Sequence, residues 1–318
     1  MMPKRKTLPK DFAERLETTP LPELIAIFDR CLLDARGGYS KGTALAFDEC
    51  PDELAAWLVA QGLDVDAADT YDRTPLMVRR RIRALLELGA SVSARDYQGE
   101  TALHAAAERY SADDVRLLVQ HGADVHAEND RDETPLLAAL RQCRNSHIGV
   151  AAETSAALIE AGSPVTDAAR AEVERIGREF EFHRAGFNPD YLVETEAGLA
   201  RLNALFAVAA APPRRQHDGV SPITVTATSR PEQHQELWEL LVPSSGAAAT
   251  VQGEVIRISG RIADERERNG GANWDSDYDA MAAAFERFTG SPVDPRAAVE
   301  WVLAHPDPVP LPAPDYRR

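Results

Sequence analysis

Four short segments recur along this chain: GTALAF at Thr43, RTPLMV at Thr74, ETALHAA at Thr101 and ETPLLAA at Thr134, at intervals of 31, 27 and 33 residues. A second marker keeps time with them. It is Gly62, Gly89, Gly122 and Gly162, each preceded by an apolar pair and each followed three residues later by a valine, Val65, Val92, Val125 or Val165. No other feature narrows the possible folds as much, because a unit of about thirty residues cannot bury its apolar face alone and must stack on its neighbours.

Each recurring position has a physical task. Threonine at a helix N-cap accepts a hydrogen bond from an orphan N–H of the first turn. Proline directly after it, at Pro75 and Pro135, has the φ a helix start needs and no N–H to lose. Small residues such as Ala105, Ala106 and Ala107 let a neighbouring helix come close. Glycine after the second helix takes the left-handed conformation that closes a C-cap. The polar runs AADTYDR, ARDYQGE and AENDRDE then connect to the next threonine as turns.

These residues resemble the ankyrin-repeat family, whose period is about 33 residues and whose signature is TPLHxA. TALHAA at Thr101 matches best, while TPLM at Thr74 and TPLL at Thr134 keep the first three letters. The resemblance covers roughly residues 41–183, about half the chain. It implies stacked helix pairs with projecting turns, serving as a protein-binding surface without chemistry of its own. It also implies that His104 is a structural histidine, holding its turn through a ring hydrogen bond.

The departures from regularity carry information. From threonine to glycine the units run 19, 15, 21 and 28 residues, so the second unit should have a stunted first helix. The fourth should carry an excursion, RQCRNSHIG, between its helices. The short unit concentrates Arg79, Arg80, Arg81 and Arg83, a positive spot on an acidic chain. Guanidinium forks bind carboxylate or phosphate bidentately, which makes these arginines partner-binding candidates. The alternative is a solvated helix face that offsets acidic neighbours. Tyr71 and Tyr97 occupy turn tips, three and four residues before their threonines. Tyrosine and arginine are the usual hot-spot residues of interfaces, so the two sets together define the expected partner face. Against it stands the reading that the tyrosines only pack on neighbouring turns.

Flanking segments read as helical. Leu21 to Asp34 forms an amphipathic lead within an N-terminal cap (1–40), and the helix from Ala168, AARAEVERIGREFEFHR, closes the array (41–186), with Phe180 and Phe182 over the last repeat. A helical domain (187–305) follows: a helix through Leu199, Leu202 and Phe206, the loop AAAPPRRQHDGVSPI, then three more helical stretches. Of these the clearest has Val251, Val255, Ile258 and Ile262 at helical spacing. The end, HPDPVPLPAPDYRR, should be an extended, mobile tail (306–318). The expected class is therefore all-α, a helical solenoid followed by a small helical domain. IGREFEFHRAGFNPDYL and ELWELLVPSSGAAATVQGEVIRISGRI resemble a region found on bacterial ankyrin-repeat proteins of unassigned activity, which gives no catalytic residues to carry over.

Composition sets bounds on function. At 318 residues the chain is long enough for two compact units, and 44% hydrophobic with 27% charged residues is ordinary globular usage. Its net charge of -16 opposes general affinity for nucleic acid or anionic membrane and favours a basic protein partner. Cys31, Cys50 and Cys143, odd in number and far apart, suit reduced and buried thiols better than a disulfide frame or zinc site. With no long apolar run, the expected location is the cytoplasm.

Motifs of hydrolases, metalloproteases and nucleotide sites do not occur, and HAE at His126 lacks the PCxxC that a zinc deaminase needs. General acid-base work would require His217, Glu254 and Asn273 to share one pocket. DSDYDAMAAAFE places acids at positions 1, 3, 5 and 12 of a calcium loop, but Ala280 stands where the sharp turn requires glycine and the segment favours a helix. Asp275 is then expected to cap that helix, and no metal or cofactor is expected. The function these observations point to is non-enzymatic protein recognition by an interaction scaffold. An immunity protein against a basic toxin and an unrecognised activity in the C-terminal domain are the alternatives.

Overall fold

The computed structural model describes residues 3–314 and Tyr316. Asp315, Arg317 and Arg318 of the proline-rich segment, and Met1 and Met2, lie outside the described residues. The chain forms two compact units, one of Met1–Gly177 with Tyr191–Ala210 and the other of Arg178–Asp190 with Ala211–Arg318.

The first unit opens with β1 (Arg5–Thr7), α1 (Phe12–Thr18), α2 (Leu21–Ile27) and β2 (Cys31–Arg36). The amphipathic lead expected over Leu21–Asp34 thus ends at Ile27, and the residues after it pair in parallel with β1, Arg5 opposite Cys31. Helical periodicity could not show this, because the pairing joins residues about two dozen positions apart. Phe12 packs edge-on against Phe28 and Phe47, with centroids 6.4 and 5.3 Å away, and these rings form the apolar end of the array.

Four helix pairs follow. The first is a single 3₁₀ turn, Ala44–Ala46, with α3 (Asp52–Ala60). The second is α4 (Pro75–Val78) with α5 (Arg83–Glu87), the third α6 (Ala102–Glu108) with α7 (Ala112–Gln120), and the fourth α8 (Pro135–Arg141) with α9 (Ile148–Glu160). The second unit's first helix is one turn long, as the short spacing predicts, and the excursion of the fourth holds a 3₁₀ turn at Asn145–His147. Leu54, Leu58, Leu76, Leu85, Leu103, Leu118, Leu136 and Leu158 are fully buried along the stack. After each second helix Gly62, Gly89, Gly122 and Gly162 take φ of 86 to 100°, a conformation costly to any residue with a Cβ.

Not every threonine caps as its spacing suggests. Thr101 and Thr134 accept from the amides of His104 and Leu137, at 3.5 and 3.4 Å. The hydroxyls of Thr43 and Thr74 are buried without a partner among the described residues. In those two units the first helix is so short that the third amide, of Ala46 or Met77, is already bound by the threonine's own carbonyl at 3.0 Å.

Two long helices, α10 (Asp167–His183) and α11 (Pro189–Phe206), each begin in one unit and end in the other. Gly198 of α11 lies against α9 so closely that a Cβ there would stand 2.7 Å from the Cα of Gly149. Phe182 does not cover the last repeat. It stacks on Trp238 at 6.5 Å and lies under the Arg214 guanidinium, within the second unit.

That unit holds four further helices where three were expected: α12 (Arg230–Leu241), α13 (Val251–Glu267), α14 (Ser276–Thr289) and α15 (Pro295–Ala304). The central one is α13, packed by the other three and buried along most of its length. Val255, Ile256, Ile258 and Ile262 meet Leu237, Met281, Phe285, Val299 and Val302 in the core. Asp275 caps α14, accepting from the amides of Asp277 and Tyr278 at 3.1 and 3.3 Å, and Ala280 continues the helix. Apart from β1 and β2, every named element among the described residues is helical, so the chain is all-α as its periodicity indicates.

The proline-rich end is not a free tail. Val309 and Leu311 pair with Val251 and Ala249 through backbone bonds of 2.8 and 3.0 Å. Gln252 donates to the carbonyls of His305 and Asp307 and accepts from the Val309 amide. Tyr316 is buried, its hydroxyl donating to Glu254 at 2.6 Å. Proline removes backbone donors and favours extension, but the N–H groups of Val309 and Leu311 suffice to tie the strap down.

Candidate functional site

The turns between helix pairs are built on one recurring position, an Asp or Asn, that the repeat signature does not include. Five residues before Thr74, Thr101 and Thr134 stand Asp69, Asp96 and Asn129. The side-chain oxygen of each accepts from the amides two and four residues on: Tyr71 and Arg73, Gln98 and Glu100, Arg131 and Glu133, all between 2.8 and 3.1 Å. An Asp or Asn at fixed offset from the threonine was the available signal. Two residues before each threonine the backbone is left-handed, at Lys41, Asp72, Gly99 and Asp132. Neighbouring turns are joined by bonds from Thr70 N–H to Ser40, Tyr97 N–H to Tyr71 and Asp130 N–H to Gln98, so the tips form a continuous edge.

Aromatic side chains stand on that edge. Tyr97 is 56% exposed and its ring meets Tyr71 at 5.7 Å; Tyr71 is half-buried, with the Arg73 guanidinium 5.0 Å over its face. Both readings of the pair therefore have a share, since Tyr71 packs on its neighbour and Tyr97 faces solvent. Tyr39 occupies the tip of the first repeat, four residues before Thr43, and is 92% exposed. Its offset is the one Tyr97 has, and the same count would have found it.

The arginines divide. Arg79 is fully buried beyond the end of α4, where its Nη2 donates to the carbonyl of Cys50 at 2.8 Å and stands 3.5 Å from Asp52. It is removed from the partner-binding set, because α4 is too short to keep residue 79 on the outer face and the backbone turns the side chain inward. Arg80, Arg81 and Arg83 are exposed, on the loop after α4 and at the start of α5. The Arg80 amide is held by Asp48 at 2.7 Å.

Beside the tips a groove of about 380 Å³ crosses the first helices of the middle repeats, with Asp96, Glu100, Glu108, Arg109, Met77 and Ala105 among its walls. Burial, reinforced by the charge of Asp96, raises the Glu100 carboxyl above its ordinary range, although Arg131 pairs with it at 2.9 Å. Burial and the charge of Glu100 raise Glu108 in the same way. Arg109 spends one guanidinium nitrogen on the carbonyl of Met77 at 2.6 Å, and its Nη2 is buried without a partner. The floor of the groove therefore holds two carboxylates that burial and like charge disfavour.

The structural positions of the repeat are largely buried. Thr74, Pro75, Thr101 and Pro135 are buried inside the stack, and Thr134 is half-buried. His104 is fully buried; its Nδ1 accepts from the Thr101 amide at 3.2 Å and lies 3.0 Å from the Thr101 hydroxyl, while Nε2 reaches the carbonyl of Glu133 at 3.0 Å. All three cysteines are free and buried, and burial pushes the Cys50 thiol up to about 12, which keeps it from acting as a nucleophile.

His217, Glu254 and Asn273 stand in three separate settings. Glu254 is fully buried and pairs with Arg257 through bonds of 2.9 and 2.6 Å, Asn273 bonds to Glu265, and His217 bonds to the amide of Gly219. The burial of Glu254 pushes its carboxyl up, but bonds from Arg257, Tyr316 and the Ala248 amide together hold it below the usual range. Among the described residues no group of three His, Cys, Asp or Glu side chains is arranged to hold a metal ion, and no helix is long and apolar enough to cross a membrane.

Comparison with known proteins agrees with this geometry. Residues 79–152 match the family model described as ankyrin repeats (3 copies). The human ankyrin repeat domain-containing protein 63 is 40% identical over 85 residues, 24% of this chain and 22% of that protein. The mouse B-cell lymphoma 3 protein homolog is 37% identical over 94 residues, 27% of this chain and 21% of its own length. A putative ankyrin repeat-containing protein of Treponema pallidum (strain Nichols) is 38% identical over 113 residues, 33% of this chain and 37% of that one. The chain thus spans only 21% to 37% of the length of these relatives. With matching spacing, helix pairs and left-handed turn positions, this chain carries ankyrin repeats, a fold that generally mediates binding between proteins.

Proposed function

We propose that this chain is a non-enzymatic binding protein that captures a basic protein partner along the turn tips and the adjoining groove. The observation that carries the proposal is the row of Tyr39, Tyr71 and Tyr97 on one continuous edge, beside a groove containing Glu100 and Glu108. Tyrosine gives a large, stiff contact area at low entropic cost; Tyr39 and Tyr97 stand exposed at the first and third tips, and Tyr71 at the second packs against Tyr97. Positive side chains from a partner would relieve the two disfavoured carboxylates, and a net charge of -16 would draw such a partner in at long range. Three free buried thiols support a reducing compartment, the cytoplasm. An adaptor and an immunity protein share this binding chemistry, and a lethal phenotype on loss of the protein would favour the second.

Affinity capture from the native cell with mass spectrometry supplies the partner, and variants then test the face. Tyr71→Ala with Tyr97→Ala should weaken binding by about 2 kcal/mol or more if they are hot spots, while the fold survives. Glu100→Gln with Glu108→Gln should reduce affinity most at low salt. Reversal of Arg80 and Arg83 to glutamate tests the exposed arginines; Arg79 is left intact because a carboxylate there would enter the core. If all three double variants fold and bind as the parent does, the tips and groove are not the site.

A further inference from the structure

In the second unit a small cavity of about 120 Å³ lies between the loop before α12 and the start of α13. Its apolar wall includes Leu240, Val242 and Pro243, and its polar wall is Arg214, Gln216, His217 and Thr250. The His217 side chain is only 9% exposed, and its backbone amide donates to the carbonyl of Leu240 at 3.0 Å, which fixes the residue in place. Its Nδ1 accepts from the Gly219 amide at 3.0 Å. A ring nitrogen that accepts has its lone pair in use, so the neutral imidazole carries its proton on Nε2. That nitrogen is buried and has no partner among the described residues.

The rest of the polar wall also offers donors. Arg214 gives three bonds to the carbonyls of Glu239, Phe182 and Val242, leaving two of its five N–H groups uncommitted to those carbonyls. Thr250 accepts from the Gly253 amide at 3.1 Å, as the cap of α13, and its own hydroxyl proton remains to be given. Among the described residues no carboxylate lines the cavity. The adjacent acid, Asp218, is exposed and occupied by its own loop: bonds from the Ser221 hydroxyl and the amides of Ser221 and Val220 hold its carboxyl down at about 2. Its Oδ1 lies 3.7 Å from Nδ1 of His217, the nitrogen already satisfied.

We propose that this cavity binds a small organic carboxylate, whose oxygens accept from His217 Nε2–H and the Thr250 hydroxyl beside the Arg214 guanidinium. The space of about 120 Å³, half open to solvent, is large enough for a carboxylate of two or three carbons. The apolar wall takes the hydrocarbon part. A donor set with no carboxylate among the described residues, on a chain of net charge -16, selects for an anion where the surface as a whole repels one.

The test uses the full chain labelled with nitrogen-15 at histidine, titrated with sodium acetate and, separately, with sodium chloride at matched ionic strength. The expected result is a saturable shift of the His217 Nε2–H resonance with acetate, absent with chloride and reproduced by propionate. By calorimetry, His217→Phe should bind acetate about tenfold more weakly or worse, the loss of one hydrogen bond to a charged group, while His217→Gln, which still donates, should stay within about threefold. Where His217→Phe fails to fold, the parent resonance and His217→Gln decide alone. The proposal is overturned if acetate and chloride shift the resonance equally, if neither does, or if the proton shows contact with a bound water that acetate does not displace.

Discussion

His104 shows how far one side chain can commit a repeat. Its ring joins the start of α6 to the turn before α8, because Nδ1 serves Thr101 and Nε2 serves the carbonyl of Glu133. Burial, the largest influence, lowers its pKa from the ordinary 6.5. The unfolded chain therefore takes up this proton first as pH falls, and the stability the neutral ring contributes is complete above about pH 6.5. It is lost as pH falls from there toward the lower folded value. We expect His104→Gln to cost about 1–3 kcal/mol at pH 7.5, with a smaller difference from the parent at pH 5.5. Thermal unfolding of both proteins at the two pH values checks this; a gap that widens on acidification would mean that the folded ring binds the proton more tightly than the unfolded one. Arg79 is the opposite case, a residue whose type suggested the surface and whose position in a truncated helix put it inside. Charge alone could not distinguish them, because the decisive quantity was the length of α4.

At the scale of elements, the second repeat lacks the connection the third has. Thr74 has a buried hydroxyl without a partner, and Met77 occupies the position that His104 holds relative to Thr101. Glu100 precedes Thr101 as Glu133 precedes Thr134, and both carbonyls already accept from the turn residues Asp96 and Asn129. Met77→His should therefore place a ring between Thr74 and the Glu100 carbonyl. A gain of about 1 kcal/mol is expected at pH 7.5, read as a higher urea midpoint with unchanged slope. A lower midpoint would show that α4 is too short to present its third residue in the register of α6. The repeat itself was legible because its signals are local: a cap, a proline and a glycine fix each helix within a few residues. The parallel pairing of β1 with β2 and the docking of the proline-rich strap were not, since each depends on partners far along the chain. The tips lay between these cases, with Tyr71 and Tyr97 found by offset and Tyr39 missed although it obeys the same rule.

At the scale of the whole molecule, the two units are stabilised by different means. The first stacks apolar faces of repeated pieces, so its stability accumulates from neighbour to neighbour. The second encloses a charged pair, Glu254 with Arg257, beneath Tyr316. Removing a cation from a buried pair leaves an uncompensated charge, whereas removing one neutral donor leaves the pair intact, so the two changes should differ in size. Arg257→Met is expected to cost about 3–5 kcal/mol, and Tyr316→Phe about 1–3 kcal/mol. Denaturant unfolding of each variant measures both, and equal losses would mean that the guanidinium stabilises Glu254 no more than a single neutral hydroxyl does. The docked strap also has a consequence for biosynthesis. Glu254 and Tyr316 are 62 residues apart in the chain. At a translation rate of roughly 5–20 residues per second, the carboxylate is made roughly 3–12 s before the phenol that covers it. During that interval the nascent second unit has an open polar seam, while the repeats made before it already have all their neighbours and can close.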